Sequence, residues 1–234
     1  MIQRQYASDA SVPGRYSARA RIMNYLRVCF GLALVGVCSL QSPILLAEDE
    51  MDDDALTMLS AIEANTVHYE GISRRIWDWA EVGYQEFKSS ALLQQTLREE
   101  GFSIQEEAAD IPTAFVASFG SGRPVIGILA EFDALPGITQ SALPRRDELP
   151  NQRAGHACGH HLFGTASTAA AIALRHWLAE TGRRGTIRLY GTPAEEGGSG
   201  KVYMVRAGLF DDVDTRSEEH TSELQSPCNL VCRL

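Results

Sequence analysis

Apolar runs and polar clusters alternate along the body of the chain, and their spacing predicts helices and strands in turn. Between Asp54 and Ala80, Ile72, Ile76, Trp79 and Ala80 fall at i, i+4, i+7 and i+8, the stripe of one long helix with a buried face. Trp77 and Trp79 read as core. Glu81–Gln85 (EVGYQ) reads as a turn around Gly83, and Phe87–Glu100 as a second helix stopped by Gly101. Thr113–Phe119 and Pro124–Ala130 read as strands joined through Gly120–Arg123, the second apolar enough to lie inside a covered sheet. Leu135–Arg153 is a long loop with three prolines, a length usually kept for function. His161–Thr181 is a helix whose expected inner face is Leu162, Ala166, Ala169, Ala170, Ala173 and Trp177. Thr186–Gly191 is a further strand, Thr192–Gly200 a glycine-rich loop, and Lys201–Ala207 a short helix. Strands alternating with helices predict an α/β fold, a mixed and largely parallel sheet covered by helices.

The N-terminus follows different rules. Val28–Ala47 carries no charge, Arg21 and Arg27 precede it, and the acidic run Glu48–Asp54 follows. This is the layout of a cleaved export signal, with processing expected after Ala47 and the mature protein in the periplasm. A retained membrane anchor is the alternative, because the run is just long enough to span. Translation from Met23 would give a shorter leader than translation from Met1. The net charge of −9 argues against a nucleic-acid partner. Cys29 and Cys38 fall in the leader and Cys228 and Cys232 at the C-terminal end, so Cys158 stands alone in the body and no internal disulfide framework is expected there.

Three polar clusters carry candidate chemistry. Glu131-Phe132-Asp133 follows an apolar strand. Gly155-His156-Ala157-Cys158-Gly159-His160-His161 opens a helix. Pro193-Ala194-Glu195-Glu196-Gly197-Gly198 follows another apolar strand. Sites in open α/β sheets form beyond the carboxyl ends of strands, so the three can converge. Cysteine, histidine and carboxylate together are a transition-metal ligand set. Cys158 and His160 are two apart, on one side of an extended segment, and a helix start favours a thiolate. Glu195 and Glu196 diverge from a strand end, so one can bind metal while the other handles the proton of an activated water. Taken singly, each cluster is as readily explained by core packing or a solvated loop; together, at matching positions, they point to a site. A cysteine hydrolase with Cys158 as nucleophile and His156 or His160 as base leaves the paired glutamates without a task. Gly197–Lys201 (GGSGK) fails as a phosphate loop because Val202 stands where serine or threonine is needed.

The stretches 80–90 (AEVGYQEFKSS), 128–138 (ILAEFDALPGI), 155–166 (GHACGHHLFGTA) and 185–214 resemble the aminoacylase and carboxypeptidase-G-like metallopeptidases, in the amidohydrolase branch that holds the p-aminobenzoyl-glutamate hydrolase B-subunit group. The resemblance implies two divalent metal ions, zinc or manganese, with cobalt or nickel as alternatives. It implies Cys158, His160 and Glu196 as metal ligands, Glu195 as general base, and Asp133 and His161 in support. His161 departs from the asparagine or aspartate usual there. It also implies hydrolysis of amide bonds in small N-acyl amino-acid, aminobenzoyl-glutamate-like or dipeptide substrates, and a homo-oligomer when full-length. The family continues past Asp214 through a lid or dimerisation domain and supplies further histidine ligands. Here the chain changes character near Thr215, and His220 is a doubtful ligand in surroundings that do not match. The expected organisation is a leader over 1–47, the N-terminal part of a catalytic domain over 48–214, and a foreign-looking tail over 215–234. An inactive fragment or a metal-binding module is the alternative to an enzyme.

Overall fold

Asp52 caps the first helix: its carboxylate accepts from the Asp54 amide at 3.4 Å, and Asp53 and Asp54 sit where the helix field favours negative charge. The computed structural model describes residues 52–217. The expected leader over 1–47, His220, and the cysteines at 29, 38, 228 and 232 lie outside them. The described residues belong to one compact unit. Among them, no helix is long and apolar enough to cross a membrane.

The long helix expected over 54–80 is two helices, α1 (Asp53–Ala64) and α2 (Thr66–Trp79). Asn65 breaks it at φ −107°, ψ 14°, and its side-chain amide turns back to the Ala61 carbonyl at 2.9 Å. α2 buries Ile72, Ser73 and Ile76, whereas α1 buries nothing. α3 (Phe87–Glu99) follows. A strand that the hydrophobic pattern does not announce, β1 (Ser103–Glu106), pairs with β2 (Phe115–Ser121). Then come β3 (Val125–Ala130), the two-residue strands β4 (Leu135–Pro136) and β5 (Ala154–Gly155), and α4 (His160–Thr181). β6 (Gly185–Gly191), α5 (Gly200–Arg206) and β7 (Thr215–Ser217) complete the order. β4 and β5 pair with each other and close the neck of the long loop.

The main sheet runs β1-β2-β6-β3-β7. β3 is parallel to β6 and β7, but β2 is antiparallel to β1 and to β6. The sheet is therefore mixed in equal parts, not largely parallel. β2 and β3, joined by a short turn, do not pair, because β6 lies between them. Residues 215–217, expected to begin a foreign tail, form the edge strand beside β3.

Helices α2, α3 and α4 cover one face of the sheet, where Ile72, Leu93, Leu97, Phe115, Ile128, Phe132, Ile172 and Leu189 make the main core. The other face buries Val116 and Tyr190 against Met204 of α5 and the segment carrying Leu209, Phe210 and Val213. The inner face of α4 includes Ala169 and Ala173 as expected but otherwise differs from expectation. Leu162 is 59% exposed and Ala166 is exposed, while Gly164, Thr168, Ala171 and Ile172 turn inward. The reason is contact distance: a Cβ at Gly164 would stand 2.5 Å from the Glu131 carbonyl oxygen, so glycine lets this helix close on the end of β3.

Candidate metal centre

The parallel pairing of β3 and β6 sets Ala130 opposite Gly191, so both strands end at one level. Thr192 fastens the two exits, its amide and hydroxyl both donating to the Ala130 carbonyl at 2.8 and 3.1 Å. Beyond Ala130 the chain supplies Glu131 and Asp133, and beyond Thr192 it supplies Glu195 and Glu196. The close approach at Gly164 brings the first turn of α4 onto the same spot. Gly159, at φ +84°, turns the Cys158 segment into that helix. Two strand ends and one helix start thus meet, as expected beyond the carboxyl edge of an α/β sheet.

His160 is the hub, with a side chain 1% exposed. Its Nδ1 lies 3.0 Å from both the carbonyl and the Oδ1 of Asp133, two acceptors that place the ring proton on Nδ1. Nε2 is thereby turned toward the glutamates. It faces Glu131 Oε2 at 3.0 Å, with Glu196 Oε1 at 3.8 Å and Glu195 Oε2 at 3.9 Å. One ligand atom from each of Glu131, His160 and Glu195 falls within 4.8 Å of the others. Asp133 also holds the turn in register, its Oδ2 accepting from the Glu196 amide at 3.0 Å. The Lys201 ammonium pairs with Glu131 Oε1.

Electrostatics follow from crowding. Burial first, then the neighbouring Glu131 charge, raises Glu195 above the usual carboxylate range. The Cys158 thiol is exposed. Its hydrogen bond to Glu196, then partial burial, pushes it up to about 11, so the helix-start field expected to favour a thiolate is outweighed. Burial, with lesser repulsion from neighbouring imidazoles, holds His156 and His161 down at about 4, so both are neutral.

The donor set fits a divalent cation. Glu131 Oε2 and Glu196 Oε1 are buried oxygens without a hydrogen-bond donor among the described residues. Lys201 offsets the charge of Glu131, but Glu195 and Glu196 crowd the same spot, and this excess of negative charge is what a bound cation would offset. His160 Nε2 and Glu131 Oε2 stand 3.0 Å apart, a separation that a proton on the ring or a cation held by both satisfies. A thiol hydrogen-bonded to Glu196 adds a soft donor at the rim.

Of the residues singled out in the sequence, Asp133, Cys158, His160, Glu195 and Glu196 are brought together, and His220 lies outside the described residues. His161 points away from the cluster. Its ring packs edge-on against Trp77 at 4.8 Å between centroids and against His156 at 5.1 Å. Trp77, expected in the core, is half-buried against these two histidines. The sequence assigns no role to Glu131 or Lys201. A glutamate directly after an apolar strand was the available signal for Glu131; for Lys201 the GGSGK run drew attention to the wrong chemistry.

Residues 127–229 match Peptidase family M20/M25/M40. The chain is 48% identical over 161 residues to the B-subunit of p-aminobenzoyl-glutamate hydrolase from Escherichia coli, covering 68% of this chain and 34% of that protein. It is 32% identical to the human Xaa-Arg dipeptidase, covering 65% and 35%. A Bacillus subtilis crystal structure described as a dinuclear metal-binding peptidase of the M20 family superposes with a TM-score of 0.52 at 27% identity, covering 66% of this chain and 42% of that one. The chain spans about a third of the length of the curated relatives it matches.

Proposed function

Because the chain belongs to the M20/M25/M40 peptidase family, we propose that its cluster is the hydrolytic centre of a metal-dependent amidohydrolase. The substrates in this reading are small N-acyl amino acids, aminobenzoyl-glutamate-like amides or dipeptides. The carrying observation is the cluster itself: His160, fixed by Asp133, turns Nε2 toward Glu131, Glu195 and Glu196, and ligand atoms of Glu131, His160 and Glu195 lie within 4.8 Å of one another. Cys158, His160 and Glu196 would hold metal, and Glu131 adds a carboxylate at the same Nε2 edge of the imidazole. Two divalent ions are proposed, in keeping with the dinuclear relative. When bound, such an ion supplies Lewis acidity toward the scissile carbonyl and acidifies water.

The protein groups then have separate tasks. Glu195 and Glu196 lie equally close to His160, so distance alone does not assign them. Glu196 shares a hydrogen bond with the thiol and has its backbone pinned to Asp133, which suits a ligand. Glu195 is more exposed and has a raised affinity for protons, which suits a base that takes a proton from attacking water and passes it to the leaving amine. The Nδ1 contact with Asp133 orients His160 so that Nε2 faces the glutamates. A Cys158 nucleophile is disfavoured: the thiol is held protonated by a carboxylate, and His156 donates its Nε2 proton to the Ile76 carbonyl at 3.1 Å.

The test is amide hydrolysis by the chain against N-benzoyl amino acids, p-aminobenzoyl-glutamate and dipeptides, before and after chelation. Turnover lost on chelation and restored by zinc or manganese is the expected result. Turnover that ignores the chelator but is abolished by a thiol reagent would overturn the reading.

A further inference from the structure

Glu86 lies outside the metal cluster, yet its side chain is fully buried and both of its oxygens are used. Oε1 accepts from the Ala194 amide at 2.9 Å, across 108 residues of chain. Oε2 accepts from the Thr113 hydroxyl at 2.9 Å. Ala194 is the residue immediately before the Glu195–Glu196 pair. It is fully buried and sits in the left-handed region at φ +58°, where an alanine is strained. Surrounding groups hold it there. Gly83 has no room for a Cβ, which would lie 2.9 Å from Ala194 Cα and Cβ. Tyr84, itself at φ +63°, donates its hydroxyl to the Gly198 carbonyl at 2.5 Å. Gly198 closes the turn by donating its amide to the Ala194 carbonyl at 3.0 Å.

We infer that Glu86 is a positioning residue for the proposed centre: it clamps the Ala194 amide and so fixes the strained turn from which Glu195 and Glu196 project. This inference rests on the hydrolase reading for its importance but not for its geometry. A carboxyl in a dry interior costs free energy unless its partners compensate, and here the partners are the turn and a strand-leading threonine. Glu86 also caps α3 through its backbone carbonyl, which accepts from Ser90 at 2.8 Å. The helix and the glutamate turn are thereby tied to one residue. Tyr84 and Gly83 extend the same cradle, so segment 81–86 acts as a splint for segment 193–198.

The test compares Glu86→Ala, Glu86→Gln and Thr113→Val with the unsubstituted full chain. The glutamine can still present an oxygen to the Ala194 amide and an amide to Thr113, so it serves as the rescue. Hydrogen–deuterium exchange of peptides covering 192–198, in metal-free protein, is the first readout. We expect exchange there to be roughly ten- to hundredfold faster in Glu86→Ala, the scale of a lost hydrogen bond to a charged or buried group, and near the original rate in Glu86→Gln. Thr113→Val should accelerate the same peptides less, which keeps the test informative if the alanine variant does not fold. Cobalt binding is the second readout: Glu86→Ala should bind ~10–100-fold more weakly, with a changed visible spectrum, and Glu86→Gln should restore both. Unchanged exchange at 192–198 in Glu86→Ala or Thr113→Val, or a glutamine variant as impaired as the alanine, overturns the inference. An unsubstituted chain that binds no cobalt counts against the hydrolase reading, and the exchange comparison then decides this one by itself.

Discussion

At the scale of single residues, the adjacent glutamates separate two kinds of failure. Glu195→Gln should leave metal content intact while lowering turnover by ~10²–10⁴, and Glu196→Gln should lower metal content as well. Metal analysis alongside kinetics checks this, and the reverse pattern would mean the two roles are exchanged. Glu86 makes a stability prediction of its own. Burial, the largest cause, raises its pKa from 4.5 to about 7. Between those values the folded chain holds a proton that the unfolded chain has released, so this group's contribution is complete below 4.5 and lost as the pH passes 7. Metal-free Glu86→Gln should therefore gain on the unsubstituted chain as pH rises through that window, by up to about 3 kcal/mol. Urea unfolding across the window measures it; parallel profiles would show that Glu86 titrates normally. None of this was visible in the sequence, where Glu86 is one letter in a helix-opening run and its partner Ala194 lies 108 positions away. Cys158, His160 and the glutamate pair were visible, because reactive side chains next to apolar strand ends stand out without knowledge of contacts.

At the scale of elements, the glutamate turn depends on missing side chains. A Cβ on Gly198 would meet the Tyr84 ring at 2.4 Å and Ala194 Cβ at 2.6 Å, whereas one on Gly197 would meet nothing within 4 Å. Both neighbours of Gly198 are fastened, so neither can yield cheaply. Gly198→Ala should cost about 1–3 kcal/mol, as overpacking does, and weaken metal binding. Gly197→Ala, next door, should leave the unfolding midpoint and metal affinity almost unchanged. Equal losses from both would mean that the loop, not the contact, is what matters. Element types were legible where apolar periodicity is strong, as in α3, β3 and β6. The misreadings have physical causes. Asn65 breaks a helix without the glycine or proline that usually announces a break. α4 is rich in small residues, so hydrophobicity barely distinguishes its faces, and closeness of approach at Gly164 chose the inner one. β1, with only Ile104 apolar among its four residues, carries little hydrophobic signal and is held by pairing with β2.

At the scale of the whole molecule, we propose that the protein is exported and loses its uncharged N-terminal segment. Expressed in a bacterium with an outer membrane, it should appear in the periplasm with an intact mass lacking about the first 47 residues, the position suggested by Ala47. A cytoplasmic product that keeps Val28–Ala47 would count against this. The α/β layering was legible in the sequence, but the strand order was not, because hydrophobic pattern identifies strands without naming their neighbours. The insertion of β6 between β2 and β3 has a consequence for synthesis on the ribosome. β2 and β3 emerge together, and β2 can pair with β1 at once, yet the strand that joins β2 to β3 is encoded some sixty residues later, since β3 ends at Ala130 and β6 at Gly191. At ~5–20 residues per second, the nascent chain carries an open inner edge of β2 and an unpaired, apolar β3 for roughly 3–12 s. That interval is when a holding chaperone would have most to bind, and slowing translation between codons 131 and 191 should cost more soluble protein than slowing it anywhere after.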